Sequence, residues 1–138
     1  MLKQRLTHPE ILDALAAAGH GAKVLIADGN YPASTKLGEN AELVYLNLAP
    51  GRPSVTEVLD ILLTAIPVEG AEVMSPGEGP EPTIFQEFRS LLPDVELTKL
   101  DRFEFYDEAS EPDTCLTIVT GEQRIYANLL LTIGVVMP

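Results

Sequence analysis

Six side chains carry the chemistry this sequence has to offer: His20, Asp28, Arg102, Tyr106, Tyr126 and Asn128. His20 stands between Gly19 and Gly21, with no bulky neighbour to shield it. An imidazole titrates near pH ~6.5, so it can give or take a proton at neutral pH. The alternative is a solvated loop histidine. Asp28 closes a short apolar run, Lys23 to Ala27, and a carboxylate at the carboxyl end of a strand sits where open α/β sheets bind ligands. The alternative is an Asx turn, in which Asp28 bonds its own backbone within Asp28-Gly29-Asn30. One strand separates His20 from Asp28, so within one subunit they fall at opposite ends of it. A shared site then needs a folded-back loop or a neighbouring subunit.

Tyr126 and Asn128 alternate at the start of an apolar run, which places them on one face of a strand. A phenol beside a carboxamide supplies the donors and acceptors that hold polyhydroxylated ligands. Asn128 amid leucines is costly to bury unpaired, so it has either a structural partner or a ligand. Arg102 and Tyr106 are four apart in Arg102-Phe-Glu-Phe-Tyr106 and share one helix face. The competing reading puts Phe103 and Phe105 in the core and Arg102 in an ion pair with Glu104, Asp107 or an acid elsewhere.

The elements that must position these groups alternate between helix and strand. Pro9 follows a cap at Thr7 or His8 and opens a first helix, which Gly19 stops as a left-handed cap. A strand at 23–27 leads into a turn-rich loop at 30–41, long enough to suspect function. A strand at 42–48 follows. Ser54-Val-Thr-Glu57 is a capping box for a second helix that Pro67 ends. A strand at 68–74, a Pro/Gly loop at 75–82, a helix at 83–92 and a strand at 95–100 come next. Asp101 and Glu104 cap a short helix through Ala109. Strands at 114–120 and 126–136, joined by a turn, read as an antiparallel pair. The pattern predicts one α/β domain over 1–138, a mixed sheet flanked by helices.

Composition narrows the function. Nine Lys and Arg against 21 Asp and Glu give a formal charge of −12, a field that repels phosphate backbones and anionic membranes. The partners expected are therefore neither nucleic acid nor membrane. A single cysteine, Cys115, excludes an internal disulfide, and with two histidines in the chain no metal site is expected. Cys115 sits mid-strand and reads as a small buried hydrophobe. Glu78 and Glu81 lie in a proline-rich loop, a poor frame for a paired-carboxylate hydrolase. No glycine-rich phosphate loop, signal segment or membrane span is visible, so a cytoplasmic location is expected.

Taken in order, Ala-Gly-His20-Gly, Asp28, Tyr31-Pro32-Ala33-Ser34, Arg102-Phe-Glu-Phe-Tyr106, Thr120-Gly121-Glu122 and Tyr126-Ala127-Asn128 resemble the D-ribose pyranase and L-fucose mutarotase family. The resemblance covers nearly the whole chain and is strongest over 8–34 and 100–136. It implies a cofactor-free isomerase that interconverts anomers or ring forms of a free monosaccharide. It implies rings of five subunits, usually stacked as decamers, with sites between neighbours. By motif His20 is the acid/base residue, and Asp28, Arg102, Tyr106, Tyr126, Ala127 and Asn128 hold the sugar. Arg102 to Tyr106 and Thr120-Gly121-Glu122 look like the fucose branch. Pro50-Gly51-Arg52-Pro53-Ser54 looks like the ribose branch, and Asn30-Tyr31 stands where fucose-type members have His-Phe. L-Fucose is the expected substrate, with D-ribose ring exchange or non-catalytic, transport-associated sugar binding as the alternatives.

Overall fold

The computed structural model describes residues 1–138. Helix α1 (Pro9–Ala17) starts as the sequence predicts: the His8 ring accepts the Ile11 amide and proline occupies the first turn. It ends differently. The cap is Ala18 in an extended conformation, and the left-handed glycine is Gly21 (φ 86°) rather than Gly19. The chain continues through β1 (Lys23–Ala27), β2 (Glu42–Tyr45), α2 (Val55–Leu62), β3 (Val68–Met74) and α3 (Ile84–Leu91). It closes with β4 (Leu97–Leu100), α4 (Arg102–Ala109), β5 (Thr114–Val119) and β6 (Leu129–Ile133). Both expected capping boxes form, Ser54 with Glu57 on α2 and Asp101 with Glu104 on α4.

The six strands make one mixed sheet in the order β2-β5-β1-β6-β3-β4. β2, β5 and β1 are mutually parallel, as are β3 and β4, while β6 is antiparallel to both of its neighbours, β1 and β3. Five strands therefore point one way and β6 the other. The expected β5–β6 hairpin is not there, because β1 lies between them. β1 can satisfy both edges of its fully buried apolar run only with a strand on each side, and the fully buried Leu129-Leu130-Leu131 supplies one of them.

Helices α1, α2 and α3 cover one face, where Ile11, Leu59, Leu62, Phe85 and Phe88 pack on Val24, Ile26, Leu116, Ile118, Leu129 and Leu131. On the other face α4 brings Phe105, Tyr106 and Ala109, with Tyr31 and Ala33 from the 30–41 loop, onto Leu25, Ala27, Met74, Val119 and Leu130. This is the three-layer α/β/α arrangement. The competing reading of α4 holds for Phe105, which is fully buried, and fails for Phe103, which is 69% exposed with Arg102 over its ring. Gly121 is obligatory, since a Cβ there would sit 2.3 Å from the Ala49 carbonyl oxygen and 2.4 Å from that of Arg52. The 49–53 segment is thereby held against the end of β5.

Candidate functional site

Because β6 runs against β1 and β3, its first residues arrive at the edge where those two strands finish. Asp28, one residue past β1, and Asn128, one residue before β6, meet there in a two-way bond. The Asp28 amide donates to Asn128 Oδ1 at 2.8 Å, and Asn128 Nδ2 donates to Asp28 Oδ2 at 3.1 Å. Both are almost fully buried. The Asn30 amide donates to Asp28 Oδ1 at 2.9 Å, so the Asx turn is also real. Burial pushes the Asp28 carboxyl above the ordinary aspartate value, against the pull of the Asn30, Ala127 and Tyr31 amides and of the Asn128 carboxamide. An acid held that way is a receptive hydrogen-bond partner and is closer to proton exchange at neutral pH.

Asp28 and Asn128 form one wall of an open cavity of about 350 Å³, completed by Asn30, Tyr31, Met74, Arg102, Tyr106, Ile125 and Tyr126. This lies at the low end of the ~300–1,000 Å³ typical of small-molecule sites. α4 puts Arg102 and Tyr106 one turn apart on its cavity side, and Arg102 Nε donates to the Tyr106 hydroxyl at 3.1 Å. The ion pair with an acid is not made. Tyr31 stacks edge-on against Tyr106, with ring centroids 5.4 Å apart.

Tyr126 precedes β6 instead of lying in it. Its φ of 58° is left-handed, a conformation that costs a non-glycine residue ~1 kcal/mol or more and persists where the surroundings enforce it. The strand-alternation argument for Tyr126 and Asn128 therefore fails, yet both reach the same cavity. Ala127 between them has its side chain fully buried in the core, and its amide turned toward the Asp28 carboxylate. The next residues back are fastened by Glu122, which is buried and bonded by Arg124 through Nε and Nη2 and by the Val55 amide. Burial opposes the Glu122 charge, but Arg124 and these amides outweigh it and hold the carboxyl below the usual glutamate range.

His20 is not in this cavity. It lies at the opposite edge of the sheet, before β1, with its side chain 59% exposed. Five residues of strand at ~3.3 Å each put about 17 Å between the two edges. There it pairs with Glu69 at the start of β3, Nε2 to Oε1 at 2.8 Å. Main-chain bonds from Gly21 to the Ile133 carbonyl and from Gly134 to the Pro67 carbonyl brace this edge. One chain thus gathers Asp28, Arg102, Tyr106, Tyr126 and Asn128 and leaves His20 apart. Sequence reasoning missed Glu69, which carries no local signal, and also Met74 and Ile125. Tyr31 stands in the 30–41 loop and in the Tyr31-Pro32-Ala33-Ser34 motif, but sequence reasoning did not assign it to the site.

Comparison with known proteins agrees with this architecture. The model of the RbsD / FucU transport protein family matches residues 1–136. Fucose mutarotase of Homo sapiens is 30% identical over 145 residues, covering 94% of this chain and 90% of the relative. D-ribose pyranase of Streptomyces avermitilis is 32% identical over 135 residues, covering 98% of each. Among solved structures, Bacillus subtilis RbsD complexed with D-ribose superposes with a TM-score of 0.86 at 26% identity, over 99% of this chain and 100% of that one. On a match of nearly its whole length, this chain belongs to the RbsD / FucU family.

Proposed function

We propose that this protein is a cofactor-free monosaccharide mutarotase that interconverts the anomers and ring forms of a free sugar, L-fucose ahead of D-ribose. Family membership supports an isomerase of the sugar mutarotase or pyranase type. The observation that carries the reading is the convergence of Asp28, Asn128, Tyr126, Arg102 and Tyr106 on one small cavity. A carboxylate, a carboxamide, a guanidinium and two phenols in such a space suit a ligand covered in hydroxyls.

The reaction needs little more. A base takes the proton from the anomeric hydroxyl, the freed electron pair forms the C1 carbonyl, the bond from C1 to the ring oxygen breaks, and an acid protonates that oxygen. Rotation about C1–C2 and reclosure on the other face reverse each transfer. General acid–base help is worth ~10²–10⁴-fold, enough for a reaction that proceeds measurably on its own. His20 is the acid/base group in this reading, with Glu69 orienting its ring. Asp28, Arg102, Tyr106, Tyr126, the Ala127 main chain and Asn128 hold the sugar. The aromatic wall of Tyr106 suits the C6 methyl of a deoxyhexose, which favours L-fucose.

His20 and the cavity meet only if one subunit offers its His20 edge to the mouth of the next, a head-to-tail contact that closes into a ring. Apolar side chains exposed at both edges support this. Phe103 and Ile125 stand at the cavity edge, and Val135, Val136 and Met137 follow β6 at the His20 edge. A pentameric ring, or two stacked as a decamer, is the assembly proposed. Saturation-transfer NMR between the anomers of L-fucose, D-ribose and D-galactose tests the function. Exchange hastened by the protein, fastest for L-fucose, is the expected result. Binding without exchange means a sugar receptor, and ribose faster than fucose by about tenfold moves the protein to the pyranase side.

A further inference from the structure

Tyr31 is the one residue of the cavity wall whose buried polar side-chain atom has no partner. The residue is 7% exposed, its hydroxyl is shut off from bulk water, and no protein group lies within hydrogen-bond reach of it. The other polar groups around it are engaged: Asp28 with Asn30 and Asn128, and Tyr106 with Arg102. Burial first, then the nearby Tyr106 and Asp28, raises the Tyr31 hydroxyl above the ordinary tyrosine value, so it stays a neutral donor. A phenylalanine would keep both edge-on contacts, to Phe105 and to Tyr106, without desolvating an oxygen. An unsatisfied buried hydroxyl costs ~1–3 kcal/mol, and such a cost at a cavity wall points to a ligand that removes it.

We infer that the Tyr31 hydroxyl is a specificity-determining group of the sugar site, donating to O4, at the end of the ring remote from the anomeric carbon. This rests on the proposed mutarotase function. The direction follows from the site. No acid/base histidine lies in the cavity wall, so the reacting carbon faces the open mouth, and the buried Tyr31 reads the opposite end. The substrate class is thereby narrowed to monosaccharides with a hydroxyl at that position, and an analogue lacking it leaves Tyr31 stranded.

The test removes one oxygen from each side. Tyr31→Phe is compared with the unaltered protein on L-galactose against L-fucose, which differ only at O6, and on L-fucose against 4-deoxy-L-fucose. Tyr31→Phe should lower kcat/KM by about tenfold for L-fucose, through KM, and leave 4-deoxy-L-fucose within about twofold, while L-galactose and L-fucose, which share O4, fall together. Equal effects on every sugar, or none, overturn the inference. So does a lower melting temperature for Tyr31→Phe, since loss of an unpartnered hydroxyl should leave the fold as stable or more so. If the unaltered protein binds these sugars without exchanging them, the same comparison is read from Kd. The mutarotase reading then falls while the Tyr31 assignment is decided separately. If it binds none of them, both fall.

Discussion

Asp28 and Asn128, one hundred positions apart in sequence, hold each other by two hydrogen bonds at the edge where β1 ends and β6 begins. The pair closes the sheet edge and also presents its remaining lone pairs and N–H to the cavity. The structural bond to Asp28 and the proposed sugar-holding role of Asn128 are therefore compatible, since both residues also line the cavity.

Asn128→Leu keeps the volume and removes the two bonds that Asn128 makes with Asp28. It leaves the buried Asp28 amide unsatisfied and takes one donor from its carboxylate, which should cost about 1–3 kcal/mol in chemical denaturation and abolish sugar binding. Stability equal to that of the unaltered protein would mean the pair is dispensable to the fold.

The raised Asp28 value predicts a sign for pH dependence. A carboxyl harder to ionise when folded destabilises the native state once it is charged. That penalty is absent below the ordinary aspartate value and grows as pH rises from there through the raised one. Asp28→Asn has no such penalty. Its stability relative to the unaltered protein should therefore climb as pH rises from the ordinary aspartate value while anomer exchange is lost, and denaturation at a series of pH values measures it.

Glu122 should behave oppositely. Its carboxyl is held below the usual range, so its contribution is present above the ordinary glutamate value and is lost as pH falls through the depressed one. Glu122→Gln should destabilise by about 2 kcal/mol at neutral pH, because Arg124 loses its paired charge and one of the two acceptor oxygens becomes a donor, and the gap should close in acid. A pH-independent difference would assign the loss to packing.

His20→Ala should fold and assemble as before, since the side chain is exposed and bonded only to Glu69, while losing most anomer exchange. Arg102→Ala, damaged at the other edge, should also be inactive. Dissociated and reassembled together, the two should regain part of the activity, because some interfaces pair an intact His20 with an intact cavity. No recovery in verified mixed oligomers places the acid/base group elsewhere.

The assembly itself is checked by light scattering. Each subunit carries −12, so association must overcome self-repulsion through apolar contact. A mass of five or ten chains at moderate salt is expected. A mass near 14.9 kDa would remove the inter-subunit site.

What the sequence by itself determined is what depends on neighbours in the chain. The capping boxes at Ser54–Glu57 and Asp101–Glu104 formed as read, and so did the facing of Arg102 and Tyr106, because a helix fixes which side chains three and four apart can meet. The alternation of helices and strands gave the α/β class on the same local grounds. Only the tertiary structure decided where β6 goes. Strand pairing is set by which apolar faces can be buried together, and no rule of spacing showed that 129–133 would slip between β1 and β3 instead of folding back on β5. That one placement brings Asn128 to Asp28 and the end of β6 up beside His20 and Glu69. It also turns Tyr126 left-handed at the entry to the strand. Phe103 belongs here too, since an apolar residue on a helix points to core or solvent according to what packs against it, and here only its α4 neighbours Arg102 and Tyr106 meet the ring while it stays 69% exposed. Composition named the kinds of groups available for chemistry, and the reversed strand selected which of them share a cavity.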